Sequence, residues 1–433
     1  MVITGRLRSL LLDKRFWTGA IVALALVLGW PSQQAPVVWP DSEAYLATSP
    51  DRLPVYSLLV AVTRDSYALI CVQFVLSLAA WTALGFTVAG AAGALVAVVV
   101  ALAWPVALWN HTVLSESLSL ALFAAALAAT VLLVKGWTRN RLIAWCALAA
   151  LFAFTRSTNV FMLPFFIVPF LPGGRRRLLV AAAVTAAVLF SWGIYGQTLG
   201  SSLRETSLLN VYLNRIMHDR SRLDYFVARG MPVDNRILAF VDRKSRQNKE
   251  EMFAAAPEFA EWFREKGASS YRSWLLSGTL SFRQAWGVMV DNINYPYPEY
   301  DDGMRSRAIN RAAHAAYNIC YLPWWLWLLG VLTPLVSLAL LRRMTPESLF
   351  VPALMAGSYV QAYVGYHGDA TEMARHCILS LIGYKTTLLF LVFWIFVVVK
   401  QRLQSAPAPG TAAARDQKKA GRKRKSRGKR NRR

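Results

Sequence analysis

Long apolar runs recur along this chain of 433 residues, of which 55% are hydrophobic and 17% are charged. An α-helix of about 20 apolar residues crosses a lipid core of roughly 30 Å, and backbone groups inside lipid must bond within their own segment. The runs therefore predict an all-α integral membrane protein with about ten transmembrane helices, and they exclude a soluble globular protein. The predicted spans lie near 16–31, 67–86, 89–108, 113–134, 141–155, 158–171, 178–198, 319–341, 348–366 and 377–399.

The formal net charge is +24, and much of it is concentrated at the C-terminus. Residues 415–433 contain twelve Lys or Arg and the single acid Asp416, and the preceding residues 405–414 are rich in Ala and Pro. This composition predicts that 401–433 is a disordered polybasic tail attracted to anionic lipid head groups. A nucleic-acid-binding tail is the alternative, but no aromatic interleaving or folded module accompanies the charge, so no specific nucleic acid is expected.

The remaining basic residues indicate the orientation of residues 1–400, which we interpret as one polytopic domain. Short loops rich in Lys and Arg are retained in the cytoplasm. With ten spans and a cytoplasmic N-terminus, every basic cluster falls on one side, which predicts a multi-pass protein of the plasma (inner) membrane with both termini in the cytoplasm. The basic clusters lie at 6–15, 135–141, 175–177, 342–343 and from 400 onwards.

One extracytoplasmic loop, 199–318, is far longer than an ordinary connection between spans. Its apolar content argues against disorder, and the spacing of apolar residues over 208–217 and 253–263 is helical. Residues 271–286 are amphipathic, with aromatic and basic side chains, and 53–62 in the first loop has a similar pattern. These patterns predict helices that lie in the membrane interface.

Two carboxylates, Asp41 and Glu43, stand immediately after the first predicted span. In an extended chain the spacing i, i+2 puts both side chains on one face. A carboxylate at a water-poor boundary can have a raised proton affinity and act as a general base on a sugar hydroxyl. The pair could instead bind a divalent cation such as Mg or Mn, or form a solvated acidic turn between Pro40 and Pro50.

A second polar stretch, from Asp369 to His376, precedes the last predicted span. If it is helical, Asp369, Glu372 and His376 share one face and Arg375 neighbours Glu372. Arg375 and His376 suit a lipid-linked phosphate, because the guanidinium fork matches phosphate oxygens and histidine can donate or carry charge. The structural alternative is a capping box in which Asp369 is the N-cap and Glu372 follows three residues later.

Three further charged residues lie in or beside spans, where charge is costly unless it faces protein or water. Glu116 begins the fourth span and could instead compensate the helix dipole. Arg156 lies at an external span end, against the positive-inside trend, and could pair with an anion or reach the interface by snorkelling. Lys385 lies inside the last span, where it either faces a functional groove or marks a span that starts later.

Taken together, these motifs resemble those of the GT-C superfamily, polytopic glycosyltransferases of the bacterial type that use polyprenyl-phosphate-linked sugars. Asp41-Ser42-Glu43 is similar to the superfamily's modified acidic motif in the first extracytoplasmic loop. Glu116, Thr155-Arg156 and the stretch from Gly368 to His376 are similar to further features of its bacterial members. The motifs and the topology cover most of residues 1–400.

The resemblance implies inverting transfer of a sugar from a polyprenyl-phosphate donor to an extracytoplasmic glycan, lipid or protein acceptor of the cell envelope. In that mechanism Asp41 is the general base on the acceptor hydroxyl, and Glu43 orients the acceptor or helps to bind a metal. Arg375, His376 and Arg156 hold the polyprenyl phosphate as it leaves. Stabilising this developing charge is expected to be the largest catalytic contribution.

Two other functions compete with this one. A glycan ligase or polymerase of the O-antigen type also joins many spans to one long external loop, and its chemistry would lie in Arg215, His218 and Arg220. A lipid or solute transporter would need polar groups near the bilayer midplane. The predicted spans are almost free of charge apart from Lys385, which disfavours a transporter.

Overall fold

The computed structural model describes residues 35–47, 49, 52–198, 201–243, 245–277, 326–368 and 373–405, with single positions at 19, 22, 23 and 287. Within these residues the chain is helical and forms no β-strand. In chain order the α-helices are α1 (Pro40–Leu46), α2 (Pro54–Thr63), α3 (Ser66–Leu102), α4 (Trp104–Asn110), α5 (Ser115–Lys135), α6 (Arg139–Ala153), α7 (Arg175–Thr198), α8 (Ser201–Val211), α9 (Arg220–Val227), α10 (Asn235–Leu238), α11 (Ser245–Ala255), α12 (Pro257–Trp262), α13 (Ala268–Ser277), α14 (Leu326–Leu341), α15 (Pro346–Gly368), α16 (Met373–His376) and α17 (Ile378–Ser405).

Four of the described helices are long and apolar enough to cross a membrane, which agrees with the predicted all-α membrane-type fold. They are Ser66–Leu102, Ser115–Lys135, Arg175–Tyr195 and Ile378–Phe396. Of the ten predicted spans, the first, near 16–31, falls almost wholly outside the described residues, as does the start of the one near 319–341. Of the tail predicted to be disordered over 401–433, residues 401–405 continue α17, so that prediction is wrong for them, and the residues beyond 405 lie outside the described part of the chain.

The longest of these helices, α3, reverses direction near its middle. Ala89 and Gly90 have non-helical backbone angles, and Gly90 has a φ of 66°, a left-handed value that glycine adopts without steric cost. An ideal Cβ on Gly85 would overlap the carbonyl group of Gly93, although these residues would lie about 12 Å apart along one continuous helix. The two arms therefore pack against each other as a tight hairpin. The first arm lies where the span 67–86 was predicted, whereas the helix predicted over 89–108 is divided at Ala103 into the second arm of α3 and α4.

The sixth predicted span, 158–171, is not an α-helix. Two consecutive 3₁₀ segments, Asn159–Phe166 and Val168–Gly173, replace it, with Pro164 and Pro172 inside them. Proline has no N–H to donate and its ring clashes with the preceding helical turn. Single prolines are accommodated inside α14 and α15, but here three, Pro164, Pro169 and Pro172, lie within nine residues and disfavour the α-helical ladder. Asn159–Gly173 is apolar, but it is shorter than the four helices that are long enough to cross a membrane.

Basic side chains gather at one end of the helical bundle. Lys135 Nζ donates a hydrogen bond to the carbonyl of Thr87, beside the α3 hairpin, and lies 5.3 Å from the ring centre of Phe393. The guanidinium of Arg177 lies 5.8 Å from the ring centre of Trp137. We call this region, which includes Arg141, the basic end.

Residues 201–277 form a subdomain with a hydrophobic core of its own, separate from that of the bundle. Its largest buried members are aromatic: Tyr212, Phe226, Phe259, Trp262, Phe263 and Trp274. The subdomain contacts the C-terminal end of α15, where Tyr271 Oη donates to the carbonyl of His367 at 2.9 Å. The apolar pattern over 208–217 is helical, as expected, with a π-helical segment at Tyr212–Ile216, whereas that over 253–263 is divided between α11 and α12 by the non-helical Ala256.

Candidate functional site: a buried ion-pair cluster

At the end of the bundle opposite the basic end, the first loop is tied to the residues that precede α5. Val37 N donates to the carbonyl of His111 at 2.9 Å, and Val113 N donates to the carbonyl of Val37 at 3.0 Å. This pair of bonds forms an isolated parallel bridge between Val37 and Thr112. The bridge brings α1 next to the N-terminus of α5, two segments that are far apart in sequence.

Buried polar side chains strengthen this attachment. Tyr45 Oη donates to Ser115 Oγ at 3.1 Å, and the rings of Tyr45 and Tyr56 meet edge to face at 4.8 Å. Tyr56 Oη donates to Gln73 Oε1 at 2.8 Å, and Gln73 Nε2 donates in turn to the carbonyls of Asn110 and Thr112. Because buried polar groups need partners, this chain of bonds holds α1, α2 and the α4–α5 connection in one arrangement.

Asp41 and Glu43 lie in α1, a short helix, and not in the extended chain for which a shared face was predicted. Pro40 occupies its first turn, and Trp39 N donates to Ser42 Oγ at 2.9 Å, which favours a helix start here. In a helix residues two apart point in different directions. The expectation that the two carboxylates share a face is therefore wrong: Asp41 turns towards the bundle and Glu43 is exposed.

Arg375 joins two carboxylates that are 75 residues apart in the sequence, at positions 41 and 116. Its Nη1 donates to Asp41 Oδ2 at 2.8 Å, and its Nε donates to Glu116 Oε1 at 2.5 Å. The Arg375 side chain is 7% exposed and that of Glu116 is fully buried. One guanidinium group thus connects α16, α1 and α5.

Arg156 and His376 complete the inner part of this arrangement. Arg156 Nη2 lies 3.3 Å from Glu116 Oε1 and 3.5 Å from His376 Nδ1. Arg156 follows α6 and points inward, so it pairs with a carboxylate and does not snorkel. Glu116 also stands in the first turn of α5, where a negative charge is favourable to the helix dipole, as the structural alternative predicted.

A sixth residue, Arg52, was not singled out from the sequence. Its Nη2 donates to Asp41 Oδ1 at 2.7 Å, and its guanidinium lies 4.9 Å from the ring centre of Tyr45. The sequence does contain one indication of its position. Arg52 follows Asp41 by eleven residues, and the connection between Pro50 and Pro54 that contains it is too short to place it far from Asp41. Asp41, Arg52, Glu116, Arg156, Arg375 and His376 together are called the ion-pair cluster below.

The two arginines determine the charge state of Asp41. Burial raises the pKa of this carboxyl, but Arg375 and Arg52 act in the opposite direction and together hold it well below its usual range. The expectation that the membrane boundary raises its proton affinity is therefore wrong for this structure. Asp41 is ionised at neutral pH, with each of its oxygens accepting a hydrogen bond from a different guanidinium group.

The ion-pair cluster carries an excess of positive charge. Within its described members three guanidinium groups face two carboxylates, and His376 can add a further charge. Glu116 Oε2 is buried and has no hydrogen-bond partner among the described residues. A buried site with surplus cations is suited to bind an anion, because the guanidinium donors match phosphate or carboxylate oxygens.

An apolar groove lies beside the cluster. It has a volume of about 330 Å³, and the residues that line it flank Arg52 and Arg156 in the sequence. They are Pro54, Val55, Ala150, Leu151, Phe154 and Tyr195. The groove is therefore lined by residues that are two to six positions from Arg52 and Arg156, together with Tyr195.

The remaining predicted site residues are placed differently or lie outside the described residues. Lys385 is buried in α17, two turns after its start, and none of the described contacts joins it to the ion-pair cluster. Asp369 and Glu372 are outside the described part of the chain, so the capping-box alternative stays a prediction. Because Asp41 and Glu43 point apart, they do not form a pair of metal ligands, and the described residues contain no group of three or more acidic, His or Cys side chains that could hold a metal ion.

The three residues considered for ligase or polymerase chemistry do not converge. Arg215 is buried, donates to the carbonyl of Tyr366 and stacks on its ring. His218 is exposed and pairs with Asp242 at 2.7 Å, and Arg220 is exposed at the start of α9. These side chains face different surroundings within the 201–277 subdomain.

The ion-pair cluster therefore comes from the first loop, the start of α5, the turn after α6 and the segment before α17. Its inner members are buried, while Asp41 at its edge is 28% exposed. The arrangement places a partly accessible ionised carboxylate beside a buried group of cations, which suits an anion bound next to a general base. No protein-family model, curated protein or solved structure matches this chain.

Proposed function

We propose that this chain is an inverting membrane glycosyltransferase that moves a sugar from a polyprenyl-phosphate donor to an extracytoplasmic acceptor. The observation that carries the proposal is the contact of Arg375 with both Asp41 and Glu116, with Arg156 and His376 alongside. Residues singled out for a base and for a phosphate site thus meet at one end of the bundle. The proposal includes ten spans, with this end outside the cytoplasm and the basic end and both termini inside.

In this proposal Asp41 is the general base. It is ionised at neutral pH and reaches the accessible edge of the cluster, so it can accept a proton from an acceptor hydroxyl group. The acceptor is a cell-envelope glycan, lipid or protein. Since Glu43 points away from the cluster, it is assigned no role in proton transfer.

The surplus cations are the proposed site for the donor phosphate. When the sugar leaves, a phosphodiester with one negative charge becomes a phosphomonoester with up to two, so the phosphate gains charge as the bond breaks. Arg375, Arg156 and His376 are already held in place by Glu116 and by each other, and such preorganised groups stabilise the developing charge at little reorganisation cost. The adjacent apolar groove suits the isoprenoid chain, which stays in contact with lipid.

The test is turnover by the purified full-length protein in nanodiscs, assayed against a panel of polyprenyl-phosphate sugars with envelope glycans, lipids and peptides as acceptors. We expect Asp41→Asn to lower the rate by roughly 10²- to 10⁴-fold, the usual range for loss of a general base, while the protein inserts and accumulates normally. Donor binding should change much less than the rate.

Asp242→Asn is the matched control, because Asp242 is an exposed acid whose φ of 67° asparagine tolerates well. It should retain the wild-type rate. If Asp41→Asn is fully active, or if the wild type transfers none of the sugars tested, the proposal fails. If Asp242→Asn is inactive and Asp41→Asn is not, the chemistry belongs to the 201–277 subdomain.

A further inference from the structure

Arg52 occupies a particular position relative to Asp41. It lies between α1 and α2, its side chain is 14% exposed, and its guanidinium rests over the Tyr45 ring, which is itself held by Ser115. Within the described residues Asp41 is the only carboxylate that pairs with Arg52. The Arg52 side chain is therefore placed at the rim of the ion-pair cluster, where a ligand can reach it.

Both oxygens of Asp41 are occupied in this structure, Oδ1 by Arg52 and Oδ2 by Arg375. Each carboxylate oxygen can accept a second hydrogen bond, but two guanidinium groups lower the basicity of Asp41, so the release of one of them makes it a stronger base for an acceptor hydroxyl. Arg375 is the poorer candidate to release it, because its guanidinium is also held by the fully buried Glu116. Arg52 lacks a second carboxylate anchor among the described residues, and it is the more exposed of the two.

We propose that Arg52 is a catalytic residue that moves from Asp41 Oδ1 to the donor phosphate, so that donor binding releases the base. This inference rests on the proposed function, and it adds to it a residue that both activates Asp41 and stabilises the leaving group. The stacking contact with Tyr45 supplies the pivot, since the Arg52 side chain can turn its N–H groups while its guanidinium stays over the ring.

The charge balance of the step supports this movement. The acceptor oxygen forms a bond to the anomeric carbon, its proton passes to Asp41, and the bond between the anomeric carbon and the phosphate oxygen breaks with its electron pair on the phosphate. Asp41 therefore loses one negative charge and the phosphate gains one. A guanidinium that has already left Asp41 for the phosphate stabilises the transition state more than the ground state, because the phosphate gains charge as the bond breaks.

If Asp41 is the base, Arg52 affects the pH dependence of the reaction through the pKa of Asp41. The charged and titratable groups that face Asp41 are Arg52 and Arg375, with Tyr45 beside Arg52 and Glu116 on the far side of Arg375. Because kcat/KM reports the free enzyme, its acid limb follows the pKa of Asp41, which the two arginines depress. Removing Arg52 should raise that pKa, so activity should begin to fall at a higher pH.

The experiment compares Arg52→Gln and Arg52→Lys with the control Arg64→Gln, an exposed arginine at the other end of α2. Two readouts are needed: the pH profile of kcat/KM, and direct binding of sugar-free polyprenyl phosphate in nanodiscs. For Arg52→Gln we expect the acid limb to move to higher pH and polyprenyl phosphate to bind roughly 10- to 100-fold more weakly, the range for a hydrogen bond to a charged group. Arg64→Gln should match the wild type in both.

Arg52→Lys keeps the charge without the planar fork, so it should keep the acid limb near that of the wild type while binding polyprenyl phosphate more weakly. This variant decides the question if Arg52→Gln does not fold. An acid limb and a polyprenyl phosphate affinity that are both unchanged in the variants would overturn the role of Arg52. A wild type that transfers no sugar would instead overturn the proposed function itself, so the two failures are distinguishable.

Discussion

The two ends of the bundle hold their charges in different ways. At the basic end, Lys135 and Arg177 are exposed, and each contacts a backbone carbonyl or an aromatic ring of a neighbouring segment. In the ion-pair cluster, Arg375, Arg156 and Glu116 are buried and pair with one another across much of the chain. The charges at the basic end are thus stabilised largely by solvent, whereas those of the cluster need partners that only the assembled fold brings together.

This difference separates the charges that topology and helix ends explain from the charges that they do not explain. Exposed cations at helix ends gain a little energy from carbonyls and the helix dipole, and they also direct topology, so they need no further explanation. A buried ion pair contributes little net stability, because desolvation of both charges offsets their attraction, and apolar replacements are often as stable. The buried pairs at the opposite end are therefore better explained by ligand binding or catalysis than by folding.

The largest expected effect comes from removing the cation that links the cluster. Arg375→Gln leaves Glu116 buried with only Arg156 beside it, and breaking a buried pair costs about 3–5 kcal/mol. Sugar transfer should be lost, and the free energy of unfolding in detergent should fall by an amount in this range. Arg375→Gln combined with Glu116→Gln removes both charges and should recover at least half of the lost stability, but no activity.

Equal stability of the single and double variants would mean that the buried charge is not what destabilises Arg375→Gln. Recovery of activity in the double variant would show that neither charge serves the reaction. Either result would remove the distinction between the two ends of the bundle.

A smaller effect is expected from pH. The folded-state pKa of Asp41 lies below the unfolded value of about 3.9, so its ion pairs contribute their full stability above that value. As the pH falls below about 4, the unfolded chain takes up the proton first and the contribution is lost. The difference in unfolding free energy between the wild type and Asp41→Asn should therefore be constant above about pH 5 and shrink as the pH falls from there to about pH 2. A difference that stays constant over this range would contradict the depressed pKa.

The smallest effect is expected at the basic end. Arg141 Nη1 donates to the carbonyls of Leu132 and Gly136 at 2.9 Å each and so caps the end of α5. Arg141→Gln should lower the unfolding free energy by about 1 kcal/mol or less and leave sugar transfer within about twofold of the wild type. A large loss of activity here, with the fold intact, would mean that charge at both ends serves the reaction.

Much of the fold could be predicted from local pattern. Apolar runs give helices because a backbone in lipid has no other way to satisfy its hydrogen bonds, and 115–135 and 378–396 follow that expectation closely. Segment 158–171 departs from it because its prolines remove the α-helical ladder over residues that are equally apolar. Hydropathy records how much apolar surface a segment has, but not which helical form its residues permit.

The site was less predictable than the fold. Single acids and arginines near span ends could be selected as candidates, since charge there is costly and has few ordinary explanations. Arg52 was not predicted as a site residue, because arginine is common in short polar connections. The predicted direction of Glu43 was wrong because Pro40 and Ser42 favour a helix start in place of extended chain. In a helix, side chains two residues apart point in different directions.

The sequence by itself determined that this protein is helical and apolar, because those properties follow from composition and spacing along the chain. Only the tertiary structure decided that Asp41, Glu116, Arg156 and Arg375 meet, and that two guanidinium groups keep Asp41 ionised. Such contacts join residues up to 334 positions apart, so they depend on how hairpins and helix ends pack and not on any local pattern.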